Sequence, residues 1–256
     1  YGGSGNDRIA GDGSLAYTGN DTIYAGDGDD LVFEYHGTDL IYGGDGNDWV
    51  QVSSNDLNTV YGGAGDDAFV GYGANDLFYG EDGADSFDMR DASDTAYGGA
   101  DDDTYHLNHL SSTIVEVAGE GTDQILTSVG GTYSMPDNVE NLYAQFTTET
   151  ANYDIIGNGL DNIIHTHRFA DTVSGGDGND TIHAGDNADI VYGNAGNDSI
   201  YGGALGNDTI YGGAGDDTIE GGRGLNILYG GTGNDVIYDY GNDTIYGGDG
   251  DDTLVG

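Results

Sequence analysis

Cysteine is absent from the 256-residue chain, so no disulfide can staple it and no thiolate can hold a metal. A chain without cysteine is indifferent to redox compartment. Lysine is absent as well, and four arginines face 47 acidic residues, a formal charge of −43. So one-sided a charge repels nucleic acid and anionic membrane surfaces, which excludes unaided binding to either. No apolar run approaches the ~20 residues that a membrane helix needs. No basic-then-apolar leader opens the chain, which begins at Tyr1. Proline occurs once, as Pro136. Glycine, in contrast, contributes 50 residues, and only seven of the 47 acids are glutamate. Abundant glycine and high charge usually mean disorder, but the spacing of these residues argues for order.

A nine-residue unit of the form GGxGxDxUx, with U apolar, recurs in register. It reads GGDGNDWVQ from Gly43, GGAGDDAFV from Gly62, GGDGNDTIH from Gly175, GGAGDDTIE from Gly212, GGTGNDVIY from Gly230 and GGDGDDTLV from Gly247. Periods of this kind signal solenoids and must be sought before any other feature. The unit resembles the RTX (repeats-in-toxin, hemolysin-type) calcium-binding nonapeptide. The repeats occupy 1–106 and 157–256, leaving 107–156 without the glycine pattern. The resemblance implies an all-β fold: a right-handed parallel β-roll or β-helix solenoid, 18 residues per coil, with Ca²⁺ between turns.

The unit also makes physical sense alone. Glycine accepts positive φ cheaply, so positions 1–6 predict a tight turn. Positions 7–9 predict a short strand with position 8 pointing opposite to its neighbours. Position 8 is apolar throughout, from Ile9, Ile23 and Val32 to Ile237, Ile245 and Leu254. One buried Ile or Val returns only ~1.5–3 kcal/mol, against ~1–2 kcal/mol of backbone entropy for each ordered residue. So thin a core needs another source of stability. The position-6 aspartate, with loop carbonyls, offers the all-oxygen surroundings that Ca²⁺ prefers. Binding and folding are then expected to be one event.

Units of good and degenerate quality alternate, so the two edges of an 18-residue coil differ. On the good edge the resemblance assigns metal ligation to Asp7, Asp30, Asp48, Asp67, Asp85 and Asp103, then to Asp180, Asp198, Asp217, Asp235 and Asp252. Six loops and five loops make about nine inter-loop sites, and nine ions would offset 18 of the 43 charges. The loop at Gly98 departs from the pattern, with Asp101 where glycine is expected. On the weak edge Asp21, Asp39, Asp189 and Asp208 are candidate ligands. Asp76, Asp94, Asp171 and Asp243 also survive there, whereas Asn58, Asn162 and Asn226 are read as uncharged members of that edge, and Ala74 and Ala92 replace glycine.

Position 9 of the weak units is tyrosine at Tyr24, Tyr42, Tyr61, Tyr79 and Tyr97, then at Tyr192, Tyr211, Tyr229 and Tyr246. Such a column predicts an aromatic ladder, either as packing that stiffens the sheet or as a contact stripe for glycans or neighbouring copies. In 107–156, Thr113–Val117, Asp123–Thr127 and Val139–Ala144 read as strands. Further coils without calcium loops are expected there, with an inserted helical cap as the alternative. His165 and His183 fall 18 residues apart with His167 nearby, a pattern read as solvated surface rather than a metal site.

No convergent catalytic constellation is legible: the G-x-G spacings belong to the repeat, and serine has no histidine partner. A regular threonine row of the ice-binding kind is absent from position 3. The expectation is a calcium-binding structural or surface module (adhesin stalk, surface-layer or filament element), extracellular or on the cell surface, exported by type I secretion as the resemblance implies. The alternative is the RTX region of a secreted hydrolase or toxin whose catalytic domain lies elsewhere. Both ends stop inside the repeat, so a longer parent polypeptide is expected.

Overall fold

The computed structural model describes residues 1–11, 19–144 and 151–256. Contacts divide the chain into two units, Tyr1–Leu126 and Thr127–Gly256, and the division falls inside the segment that lacks the glycine pattern. Every described strand pair is parallel, and no helix occurs among the described residues. Each unit is a parallel β-solenoid built from two ladders.

In the first unit one ladder stacks Gly3–Ser4, Thr22–Asp27, Leu40–Asp45, Thr59–Ala64, Leu77–Asp82, Thr95–Ala100 and Thr113–Val115. The other stacks Arg8–Ala10, Leu31–Glu34, Trp49–Val52, Ala68–Gly71, Ser86–Met89 and Thr104–Leu107. In the second unit Gly131–Ser134, Tyr153–Ile156, Thr172–Asp177, Ile190–Ala195, Thr209–Ala214, Ile227–Thr232 and Thr244–Asp249 form one ladder. The other holds Asn141–Ala144, Ile163–His165, Thr181–His183, Ser199–Tyr201, Thr218–Glu220, Val236–Tyr238 and Thr253–Val255.

Side chains alternate along each strand as a half-buried strand requires. Ile41, Val50, Val60, Phe78, Phe87, Ile164, Val173, Ile182, Ile210 and Ile237 are fully enclosed, so position 8 is the core column. The two ladders of the first unit meet through it: Phe69 and Phe78 lie 5.7 Å apart between ring centres, and Phe69, Phe87 and Tyr105 stack at 4.9 and 5.0 Å. Ile9 and Ile245 are only partly covered, and Leu254 is exposed.

The structure departs from the three-residue strand in one respect. In one ladder of each unit the strands run to six residues, because positions 1–3 of the good loops stay in register with the next coil, as in Gly26↔Gly44 and Asp27↔Asp45. Continuing the ladder gives the loop's backbone groups partners they would otherwise lack. Gly44 sits at φ 126°, and a methyl there would strike the Gly26 carbonyl below it, so only glycine fits.

The segment 107–156 follows the same plan where it is described. Thr113–Val115, Gln124–Thr127 and Asn141–Ala144 lie within the expected strands, and Gly131–Ser134 and Tyr153–Ile156 add two that the glycine-poor sequence did not signal. The helical cap is not found among the described residues.

The tyrosines form ladders on each unit. Tyr1, Tyr24, Tyr42, Tyr61, Tyr79 and Tyr97 stack at 4.6 to 5.1 Å with ring planes within 10°. Tyr192, Tyr211, Tyr229 and Tyr246 stack at 4.8 to 5.0 Å. Core and ladder should contribute unequally to stability. At saturating calcium, Phe78→Ala is expected to cost about 3–5 kcal/mol and Tyr79→Ala about 1–2 kcal/mol, read from denaturant midpoints; a larger loss at Tyr79 would contradict this assignment of the core.

Candidate calcium columns

The repeat places position-6 aspartates one above another, and a single hydrogen bond repeats along each column. The backbone N–H of Asp30 donates to Asp48 Oδ1 at 2.8 Å, that of Asp48 to Asp67 Oδ1 at 2.7 Å, and that of Asp67 to Asp85 Oδ1 at 2.7 Å. Asp7 and Asp103 belong to the same column, Asp7 donating to Asp30 and Asp85 donating to Asp103. In the second unit the column runs through Asp180, Asp198, Asp217, Asp235 and Asp252. One carboxylate oxygen is thus committed to the coil before it. The other oxygen, Oδ2, is buried without a hydrogen-bond partner in Asp7, Asp30, Asp48, Asp67, Asp85, Asp103, Asp180, Asp198, Asp217 and Asp235.

Among the described residues no arginine donates a hydrogen bond to these oxygens. Arg90 pairs instead with Asp88 at 2.7 Å, and the Arg8 guanidinium lies over the Phe33 ring. Burial therefore raises the carboxyl pKa values, opposed by the backbone hydrogen bond and reinforced by neighbouring carboxylates. Asp48 is raised from 3.8 to about 6, Asp67 to about 7, and Asp85 and Asp103 to about 8. Asp180 and Asp217 are raised to about 7.

Most of these oxygens face a small cradle beside a glycine at the first loop position; the loop of Asp30 opens on Ala25 instead. At Gly62 an added methyl would collide with Asp67 Oδ2 and the Gly80 carbonyl oxygen, and at Gly43 with Asp48 Oδ2 and the Gly62 carbonyl oxygen. Gly80, Gly193, Gly212 and Gly230 repeat the arrangement. A carboxylate oxygen and a carbonyl oxygen from the next coil converge on space that only glycine leaves open. The donor set is hard oxygen throughout, which fits Ca²⁺. The good-edge aspartates with these glycine carbonyls would hold the ion, whose chemistry here is to offset charge and tie one coil to the next.

The weak edge carries the same column with different surroundings. Asp21 donates to Asp39, Asp39 to Asn58, Asn58 to Asp76 and Asp76 to Asp94. In the second unit Asp171 donates to Asp189, Asp189 to Asp208, Asp208 to Asn226 and Asn226 to Asp243. Asp76, Asp94, Asp189, Asp208 and Asp243 also present a buried Oδ2 without a partner, so Asp76, Asp94 and Asp243 are placed like the candidates Asp189 and Asp208. The first loop position differs. Val52, Met89 and Leu107, all buried, stand where the good edge has glycine, and they fill the space that the cradle would use. Gly71, Gly202 and Gly221 keep glycine there, and at Gly202 the cradle is formed by Asp208 Oδ2 and the Gly221 carbonyl oxygen.

Three other placements differ from the sequence reading or extend it. Asn162 belongs to the good-edge column, because its N–H donates to Asp180 Oδ1 at 2.8 Å; its 18-residue distance from Asp180 decides its edge. Asp101 takes φ 74° and so reproduces the glycine conformation, and Asp103 beyond it keeps its place in the column. Aspartate tolerates that region better than most side chains. His165 and His183 are half-buried register partners with ring centres 4.4 Å apart, rather than solvated residues, and burial with mutual repulsion lowers the His165 pKa.

A second column was missed. Position 5 is Asn or Asp in most good loops, and its side chain accepts from the position-5 N–H of the next coil: Asp29 from Asn47, Asn47 from Asp66, Asp66 from Ala84, and Asn197 from Asp216. The recurrent ND or DD dipeptide was its signal.

Two outcomes follow from this geometry. Asp67→Asn should weaken calcium affinity by about tenfold or more, since ligand charge sets affinity. Asp76→Asn should cost less, because Asn58 Nδ2 already donates to Asp76 Oδ1 at 2.9 Å; equal losses by calorimetry would contradict the difference between edges. The raised carboxyl pKa values favour the calcium-free fold below 3.8, and that contribution is lost as pH rises through about 6 to 8. Without calcium, circular dichroism should therefore show more strand at pH 5 than at pH 8, and the reverse order would contradict the burial argument.

Sequence comparison agrees with this geometry. The family described as RTX calcium-binding nonapeptide repeat (4 copies) matches residues 1–14, 15–33, 35–51, 52–87, 91–108, 156–191, 183–204, 203–237 and 239–256. No curated protein shows significant similarity to the chain. With matches over most of its length, and with stacked loops whose buried oxygens suit calcium, the chain belongs to the RTX calcium-binding nonapeptide repeat family.

Proposed function

We propose that this chain is a structural segment of an extracellular or cell-surface protein, held unfolded where calcium is scarce and folded where calcium is plentiful. The observation that carries the reading is the column of buried, unpartnered aspartate oxygens. Stacked carboxylates without cations oppose the coil, and cations between them favour it, so folding follows the calcium concentration. Extracellular-type sites fill at ~10⁻⁴–10⁻³ M, far above the level inside a cell. Secretion by a type I route is the expectation that goes with the family.

In this reading the chain works as a stalk, surface-layer or filament element rather than as a catalyst. Its buried acids are repeated from coil to coil, which suits a scaffold and not a single reacting centre. The tyrosine ladders support stiffness. Their rings lie face against face within 10°, which consumes the flat surfaces that a sugar would stack on. The ladder is therefore read as packing along the axis of each unit. Thermolysin digestion of the full chain tests the proposal: rapid cleavage at ~0.1 μM free calcium and resistance at ~1 mM are expected. Resistance at both concentrations would contradict a calcium-controlled fold.

A further inference from the structure

The segment beyond Leu107 lacks the glycine pattern, yet two of its acids turn back into the good-edge column of the first unit. Oxygens of Asp103, Glu116 and Asp123 lie within 4.8 Å of one another. The three residues are 1%, 8% and 3% exposed.

The strand Thr95–Ala100 pairs with Thr113–Val115 through Tyr97↔Val115, so the next residues, Gly98 and Glu116, stand opposite each other. Glu116 is thus at the first loop position, where the repeat has glycine. A methyl at Gly98 would collide with Asp103 Oδ2, Glu116 Oε1 and the Tyr105 hydroxyl. At Gly62 and Gly80 the same methyl would meet an aspartate Oδ2 and the next coil's carbonyl oxygen. A carboxylate oxygen therefore occupies the place that a backbone carbonyl fills in the repeat loops.

The remaining bonds aim the three groups inward. Asp103 Oδ1 accepts from the Asp85 N–H at 2.7 Å, leaving Oδ2 buried and unpartnered. Asp123 Oδ1 accepts from the Asp103 N–H at 2.9 Å, although the loop holding it is two residues longer than the Asp85–Asp103 spacing. The Tyr105 hydroxyl donates to Glu116 Oε1, and the Gly99 and Val117 N–H groups also bond its carboxylate.

We propose that Asp103, Glu116 and Asp123 form a calcium site outside the nonapeptide pattern, closing the good-edge column of the first unit with three carboxylates. The proposal rests on the reading that the repeat loops bind calcium. A repeat cradle, as at Gly62, offers one aspartate oxygen and one carbonyl oxygen, and additional carboxylates raise affinity because ligand charge does so. Calcium suits the site better than magnesium: it tolerates irregular oxygen sets, whereas magnesium keeps several waters that these buried groups leave little room for. The same device recurs on the weak edge, where Glu34 stands opposite Gly11 and its carboxylate joins Asp21 and Asp39.

Calorimetric calcium titration of the full chain, of Glu116→Gln and of Glu120→Gln tests the site. Glu120 is exposed in the same loop and serves as the control. The tightest class of sites should weaken by at least about tenfold in E116Q and stay unchanged in E120Q; equal behaviour of the two variants would overturn the proposal. Anomalous diffraction from calcium-bearing wild-type crystals decides the matter independently of how E116Q folds. An ion enclosed by Asp103, Glu116 and Asp123 is expected. Ions between the Asp67 and Asp85 loops with none at Glu116 would overturn this site alone, whereas emptiness at both would overturn the calcium reading beneath it.

Discussion

The structure depends on what happens to carboxylates that are stacked and buried at the spacing of β-strands. Two unit charges ~4.8 Å apart repel by ~3–4 kcal/mol at an effective dielectric of 20. Good-edge aspartates such as Asp48, Asp67, Asp85, Asp198 and Asp217 have such neighbours above and below, and their Oδ2 atoms are enclosed without a hydrogen bond. Four arginines cannot offset 47 acids. Calcium between the coils reverses the sign of that interaction, turning the most unfavourable feature of the polypeptide into its principal tie. The core column, one large apolar side chain per nonapeptide, sets register and shape but is too sparse to dominate.

The two edges share the aspartate column and, in several coils, differ at the first loop position. Glycine there leaves a cradle between a carboxylate and the next coil's carbonyl, as at Gly43, Gly62 and Gly212. Val52, Met89 and Leu107 close the equivalent space on the weak edge and add apolar burial instead. One edge of a coil thereby favours ion binding where the other favours packing. Glu34 and Glu116 represent a third choice, in which the side chain at that position brings another carboxylate to the cluster. A single position thus selects between packing, a repeat-type site and a three-carboxylate cluster.

Much of this was legible in the sequence because the nonapeptide is periodic. The apolar position 8 announced the core, and position 6 announced the aspartate columns. Asp101 was legible as a departure but not as a harmless one, since its positive φ is a property of backbone geometry. Relations between coils were harder to read. The six-residue strands exist because loop residues pair with the next coil, and the position-5 ladder exists because an Asx side chain reaches a neighbouring N–H. Glu116 and Asp123 were hidden by the longer loop between them, which shifts the expected spacing while the ladder keeps register.

The most direct test of this account is far-ultraviolet circular dichroism of the full chain at neutral pH, first with saturating calcium and then after exhaustive chelation. The account predicts that the strand signal collapses on chelation and returns when calcium is restored. A strand signal that survives complete removal of the ion would show that the coil stands without it, and would contradict the central claim.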